Sequence, residues 1–249
     1  MRRADSPGAE TSQLDETAHL LWAVSHAPQV VLQPGWCLDV KRDCWQLVTE
    51  SGKPALRAPQ FTLVGAGTAL EHAVLALEAR GHRVQVVVLP EQDPAVVATI
   101  EVLGAGPPRE LAPLPGQPAV PVDGQVQPSD LRRLNLAAEA FGVEVLWSTH
   151  LTSSWGTAGL QRVRATAEPR PMATLISYDD DAAAQVNAGR ALAHVLLRAA
   201  ALGLEAHLGL HVLSQRETRD ELRRLWGLAG HPQAQFTLGA VPDDQSSAG

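Results

Sequence analysis

Two stretches of this sequence repeat each other. Residues 66–81 read AGTALEHAVLALEARG and residues 188–203 read AGRALAHVLLRAAALG. At a constant offset of 122, Ala66, Gly67, Ala69, Leu70, His72, Leu75, Ala79 and Gly81 meet Ala188, Gly189, Ala191, Leu192, His194, Leu197, Ala201 and Gly203, eight identities in 16 positions without a gap. The offset is close to half of the 249 residues. Solenoid units recur every ~20–50 residues, so this spacing does not describe a solenoid. It predicts two fused copies of one protomer, packed as an internal pseudo-dimer. Any site is then expected between the halves.

The rest of the chain divides around that repeat. Residues 1–13 are polar and predict no order, and residues 14–26 predict a helix with Leu14, Ala18, Leu20 and Leu21 on its apolar face, ended by Pro28. Trp36 to Val48 predicts a hairpin and Phe61 to Val64 a short strand. The first repeat helix is expected from about Gly67 to Arg80, with Gly81 as the left-handed residue that ends it. Val84 to Leu89 is a β-branched run and predicts a buried strand. Asp93-Pro94 predicts the start of a short helix, and Ile100 to Leu103 a further strand.

Residues 104–128 hold seven prolines and four glycines and predict a linker. The first half is therefore 14–103 and the second 129–241, with a tail at 242–249. In the second half, Ser129 or Asp130 is expected to cap a helix running to Phe141. Strands are expected at Val143–Trp147 and Met172–Ser177, with 148–171 loop-like between them. The repeat helix follows from about Ala182 to Leu202, then a strand-like stretch at 206–213, a helix at 215–226 and a strand at Gln235–Leu238.

Composition excludes several classes. The net charge is −7 with no basic run, which argues against nucleic acid, since that binding needs Lys and Arg against phosphates. No stretch approaches the ~18 uninterrupted apolar residues of a membrane span, so none is expected. The segment MRRADSPGAETSQ has no apolar core, so no secretory signal is expected. Cys37 and Cys44 lie at unequal distances from the turn at Lys41-Arg42-Asp43, which argues against a cross-strand pair. A reduced, cytoplasmic protein is the expectation.

Three segments resemble the nitroreductase superfamily, in particular its single-chain, internally duplicated branch related to dormancy-associated nitroreductase-like proteins. HAPQVVLQPGW (26–36) with its hairpin is similar to the family's flavin loop. GAGTALEHAVLALEARGHRVQVVVLPEQDPAVVATIEV (65–102) is similar to its long interface helix, strand and Asp-Pro turn. AGRALAHVLLRAAALGLEAHLGLHVLSQRETRDELRRLWGLAGHPQAQFTLGAVP (188–242) matches down to Arg219, Leu222 and the GHPQ at 230–233. The resemblance implies an α+β, nitroreductase-like fold, internally duplicated, with mixed sheets wrapped by helices and a ligand cleft between two lobes. It also implies FMN as cofactor and NAD(P)H-driven reduction of nitro groups or quinones. The flavin contacts it implies are Pro28, Gln29, Gln33 and Trp36.

The departures fall where the chemistry would be. The family's loop Ser is Gln29 here, and its His and Asn are Val31 and Leu32, which offer no side-chain donor to a flavin ring. Relatives carry an arginine cluster between the halves, where this chain reads PLPGQPAVPVDGQ (113–125). An arginine before the final Leu-Gly is Thr237 here. The cations that could rebuild a phosphate site are Arg132 and Arg133, or Arg162, Arg164 and Arg170. Two readings follow: a flavin-deficient protein that binds a small planar ligand or a paralogous flavin-binding subunit, and an FMN-dependent NAD(P)H oxidoreductase with a rebuilt site.

Other constellations carry less. His72 and His194 occupy equivalent repeat positions and could face one interface as a metal or pH site; packing histidines inherited by duplication are the simpler reading, because no carboxylate or thiol stands at ligand spacing. His207 and His211 share a strand face if the run is extended, but the motif supplies no third ligand. Gly65-Ala66-Gly67 is too short for a dinucleotide fingerprint and fits close helix crossing. Asp179-Asp180-Asp181 reads as an exposed turn with one aspartate capping the next helix. The six tryptophans read mostly as packing residues.

Overall fold

The computed structural model describes residues 7–28, 35–41, 44–50, 52–108, 126–148, 171–209 and 213–240. Helix α1 (Pro7–Ser25) begins six residues into the segment expected to lack order, with proline in the first turn where its missing N–H costs nothing. Its buried residues are Leu20 and Ala23, with Ala27 buried just beyond its end, while Ala18 and Leu21 of the expected face are exposed. The hairpin forms as β1 (Trp36–Val40) and β2 (Cys44–Thr49). Cys37 lies opposite Val48 in its register, not opposite Cys44.

Helix α2 (Gln60–Ala79) absorbs the strand expected at Phe61–Val64. Every residue from Thr62 to Leu77 is buried, so the helix has no polar face to reveal its period, and a short apolar run is ambiguous between helix and strand. Strands β3 (His82–Val88) and β4 (Val96–Ala105) complete the half. Between them Asp93-Pro94 makes a turn, not a helix: the Asp93 carboxylate accepts the Ala95 N–H at 2.9 Å.

The second half follows the same order. It contains α3 (Pro128–Glu139), β5 (Val143–Ser148), β6 (Met172–Ser177), α4 (Ala182–Ala201), β7 (Leu204–Leu208), α5 (Arg216–Leu225) and β8 (His231–Ala240). Gln127, not Ser129 or Asp130, is the cap residue of α3, and Asp130 stands three positions inside it, accepting the Gln127 N–H at 3.1 Å. Helix α5 has no counterpart in the first half, where the turn at 91–95 stands instead.

The fold is α+β, with five helices and two four-stranded sheets among the described residues. Their strand orders are β1-β2-β4-β3 and β5-β6-β8-β7. The expectation of mixed sheets is corrected: all six pairings are antiparallel. The cause is topological. Helix α2 carries the chain from β2 to a parallel β3, and β4 then inserts between them, antiparallel to both; α4 and β8 do the same for β6 and β7.

Helices α2 and α4 are both 20 residues long and begin at Gln60 and Ala182, the offset of the sequence repeat. Each ends on a glycine in the left-handed region, Gly81 at φ +78° and Gly203 at φ +72°. The core is split accordingly. One cluster holds Leu47, Leu63, Leu70, Leu77 and Ile100, the other Leu134, Leu175, Leu192, Val195 and Phe236. Val64 of α2 belongs to the second cluster, and its repeat partner Val186 of α4 belongs to the first. Of the linker, residues 109–125 lie outside the described residues. Among the described residues no helix is long and apolar enough to cross a membrane.

Candidate functional site

The two halves meet where α2 crosses α4. A Cβ added to Gly67 would collide with the Val186 carbonyl oxygen and lie 2.9 Å from the Gly189 Cα. A Cβ on Gly189 would collide with the Val64 carbonyl oxygen and lie 2.9 Å from the Gly67 Cα. Because 64 and 186 are themselves repeat partners, the contact reads the same from either helix, as an isologous interface does.

Next to this crossing sits a buried charge cluster that breaks the symmetry. Glu71 of α2 receives the Arg190 Nε–H at 2.7 Å and the His194 Nε2–H at 2.7 Å, both from α4. The Arg190 guanidinium lies 4.9 Å from the centre of the Phe141 ring, which also packs on His194. Burial pushes the Glu71 carboxyl up, but the His194 hydrogen bond and the Arg190 charge outweigh it and hold the group below the usual glutamate range. His72, by contrast, is fully buried; its Nδ1–H donates to the Thr68 carbonyl at 2.9 Å and its Nε2 has no partner. Burial lowers its pKa, and the repulsion of His194 and His26 adds to this against the Thr68 bond and Glu71. The equivalent histidines therefore do different things, and the carboxylate they lacked in sequence spacing is Glu71, which the fold brings to His194. Among the described residues no three His, Cys, Asp or Glu are grouped so as to hold a metal.

A cleft of about 420 Å³ opens between the halves on another side of the crossing. Leu56, Ala58, Pro59, Gln60 and Leu63 of the first half form one wall. Asp180, Asp181, Ala182, Gln185, Ser214, Arg216 and Arg219 of the second form the other. Its polar floor is a connected network. Arg219 donates from one terminal nitrogen to an Asp180 carboxylate oxygen at 3.1 Å and from the other to the Leu213 carbonyl at 3.1 Å. Gln233 donates to the second Asp180 oxygen at 3.0 Å and to Ser177 Oγ at 2.8 Å, and Gln60 reaches across from α2 to donate to the Gln233 carbonyl at 2.7 Å. Burial raises the Asp180 pKa, but the bonds from Gln233, Arg219 and Gln185, with the Arg219 charge, bring it below the usual aspartate range. Asp181 caps α4, accepting the Ala184 N–H at 2.8 Å, the role expected of one aspartate in this turn.

No family model matches the chain. No curated protein matches it either.

The flavin, phosphate and His207/His211 candidates singled out in the sequence lie elsewhere. Gln29, Gln33 and the neighbouring Val31 and Leu32 fall outside the described residues, as do Arg162, Arg164, Arg170 and His211. Pro28 is half-buried, with its carbonyl accepting from Thr68 Oγ1 at 3.5 Å. Trp36 starts β1 and packs on the first core, with its indole N–H buried and unpartnered. Arg132 and Arg133 are exposed on α3, Arg133 lying 3.9 Å from Asp130, and neither lines the cleft. His207 is exposed on β7 beside Glu205 at 3.4 Å. The residues that do line the cleft were missed, although one signal was present: an arginine in an amphipathic helix whose apolar partner Leu222 shares its buried face.

Proposed function

We propose that this chain is a fused pair of nitroreductase-like protomers that binds a small ligand in the cleft between its halves and does not use flavin chemistry. The observation that carries the reading is the cleft itself. It joins both halves, it falls in the ~300–1,000 Å³ range of small-molecule sites, and it sets an apolar wall of Leu56, Ala58 and Leu63 against hydrogen-bonding groups of the second half. A planar ligand with one polar edge suits such a pair of walls.

A reading without FMN is favoured at the phosphate end of the cofactor. Its phosphate would call for cations where the resemblance places them, yet Thr237 is uncharged on β8. Arg132 and Arg133 sit on α3, which packs on α4 and β5.

Two measurements test the reading. Purified full-length protein should show no flavin absorption and gain none after incubation with FMN; a stoichiometric flavin spectrum would instead establish the oxidoreductase reading. In a thermal-shift screen, small planar compounds should raise the melting temperature of the wild type but not of Ala58→Trp, whose indole fills the cleft. Equal shifts in both proteins would place binding elsewhere. Co-purification of a flavin-bearing paralogue would point to a subunit role instead.

A further inference from the structure

We propose that the cleft is a carboxylate site: it takes a small organic acid, with the carboxylate at the second-half wall and the apolar body against Leu56, Ala58 and Leu63. This deepens the ligand-binding reading above and rests on it.

Three helices begin at the cleft. Helix α2 lines it with Pro59, Gln60 and Leu63, α4 with Asp181, Ala182 and Gln185, and α5 with Arg216 and Arg219. In each case the residues are from the cap and first turn, where the free N–H groups and the helix dipole present about half a positive charge. Asp181 caps α4, whereas α2 and α5 have no side-chain cap. The converging helix ends therefore favour negative charge on this side of the cleft.

An independent observation points the same way. Arg219 lines the cleft, its side chain is only 5% exposed, and its Nε–H is buried without a partner. Its two terminal nitrogens each make a bond, to Asp180 and to the Leu213 carbonyl, so Nε is the one guanidinium nitrogen without a partner. The carboxylates already present do not fill that role. Asp180 accepts from Arg219, Gln233 and Gln185, and Asp181 accepts from the α4 backbone. Asp180 pairs with Arg219, and Asp220 lies 3.8 Å from Arg216, so an incoming carboxylate relies on the helix ends and the Arg219 Nε–H.

Benzoate is a suitable probe, since it joins one carboxylate to a flat apolar ring. Benzyl alcohol keeps the ring without the charge, and inorganic phosphate keeps charge without the ring. Calorimetric titration of the full chain should show benzoate binding at least tenfold more tightly than either. Arg219 variants risk unfolding because the residue is buried, so the test uses exposed positions at the cleft. Leu56 is 72% exposed and lines it. Leu56→Asp and Leu56→Lys both remove apolar wall and should weaken benzyl alcohol alike, but Leu56→Asp should weaken benzoate about tenfold more than Leu56→Lys does. Arg216→Gln should weaken benzoate alone. If benzoate and benzyl alcohol bind equally and Leu56→Asp weakens benzoate no more than Leu56→Lys does, the carboxylate site is overturned while the ligand cleft stands. Phosphate binding as tightly as benzoate would overturn the organic-acid assignment in favour of a free oxyanion. Absence of binding by all three at millimolar concentration would overturn both the carboxylate site and the cleft.

Discussion

Gly67 and Gly189 lie back to back at the crossing of α2 and α4, so close that a Cβ on either would sit 2.9 Å from the other's Cα. The atoms that a side chain would strike are backbone, which cannot move aside as a flexible side chain can. Gly67→Ala and Gly189→Ala should each cost about 1–3 kcal/mol or more, as overpacking does, despite alanine's better helix propensity. The double variant should cost less than the sum, since one displacement of the helices relieves both clashes. Urea denaturation of the four proteins measures this. Additive costs would mean that the two glycines face separate neighbours.

Leu75 and Leu197 test the same correspondence at a different place. They are repeat partners, 5% and 4% exposed on α2 and α4. Leu75→Asp and Leu197→Asp should both prevent folding, each by placing an unpaired charge in a dry interior. Loss of the cooperative thermal transition is the readout. A folded Leu75→Asp beside an unfolded Leu197→Asp would break the equivalence of the halves.

The contrast between these leucines and Glu71 shows what the sequence could reveal. Apolar residues and glycines recur at the same offset because both helices fill matching places, so the repeat marks both helices and their glycine ends, though not the start of α2. The Glu71 cluster has no such echo. The repeat partner of Glu71 is Ala193 and that of Arg190 is Thr68, so a comparison of the two copies conceals the pair. The one available signal was a glutamate in the middle of a long, mostly apolar helix, where a charge needs a buried partner. Helix α2 was begun too late for the same reason: without a polar face, its first turns carry no period. Arg219 and Asp180 are 39 residues apart and come together only through the α5 insertion, which no local spacing predicts.

Glu71 should contribute through its partners in the other half. Glu71→Gln leaves the largely buried Arg190 without its counter-charge, and breaking a buried pair typically costs about 3–5 kcal/mol. Arg190→Gln should cost a similar amount, and the double variant should recover part of the loss. A coupling of zero in that cycle would show that the 2.7 Å contact contributes nothing to holding the halves together. The wild-type pair also sets an acid limit. The Glu71 pKa is held below its unfolded value, so its contribution is present above the ordinary glutamate range and is lost as pH falls through the folded value.

His72 acts at higher pH. Its folded pKa lies below the ordinary value of about 6.5, so below that pH the unfolded chain takes up a proton that the native state refuses. Stability from this group is full above about pH 6.5 and declines as pH falls toward the folded value, by at most about 1.4 kcal/mol per unit. The charged and titratable groups facing it are Glu71, His194 and His26, so the single variant is compared directly with wild type. His72→Gln should flatten the fall in melting temperature between pH 7.5 and 5.5 relative to wild type. An unchanged slope would mean that His72 takes up its proton equally in both states.

Asp180 is expected to be structural first, and that expectation separates it from the cleft's ligand. It receives side-chain bonds from Arg219, Gln233 and Gln185, which tie the start of α4 to α5 and β8. Asp180→Asn keeps the shape but removes the charge opposite a guanidinium that is 5% exposed. The loss should be about 3 kcal/mol, because Arg219 is left buried and uncompensated. Asp180→Asn combined with Arg219→Met removes both charges and should recover most of it, since an apolar replacement of a buried pair is often neutral. If the double variant is as stable as wild type and still binds benzyl alcohol, the pair serves specificity for charge and not the shape of the cleft. If it remains as unstable as Asp180→Asn alone, the network through Gln233 and Gln60, which reaches the first half, is what holds the second-half wall in place.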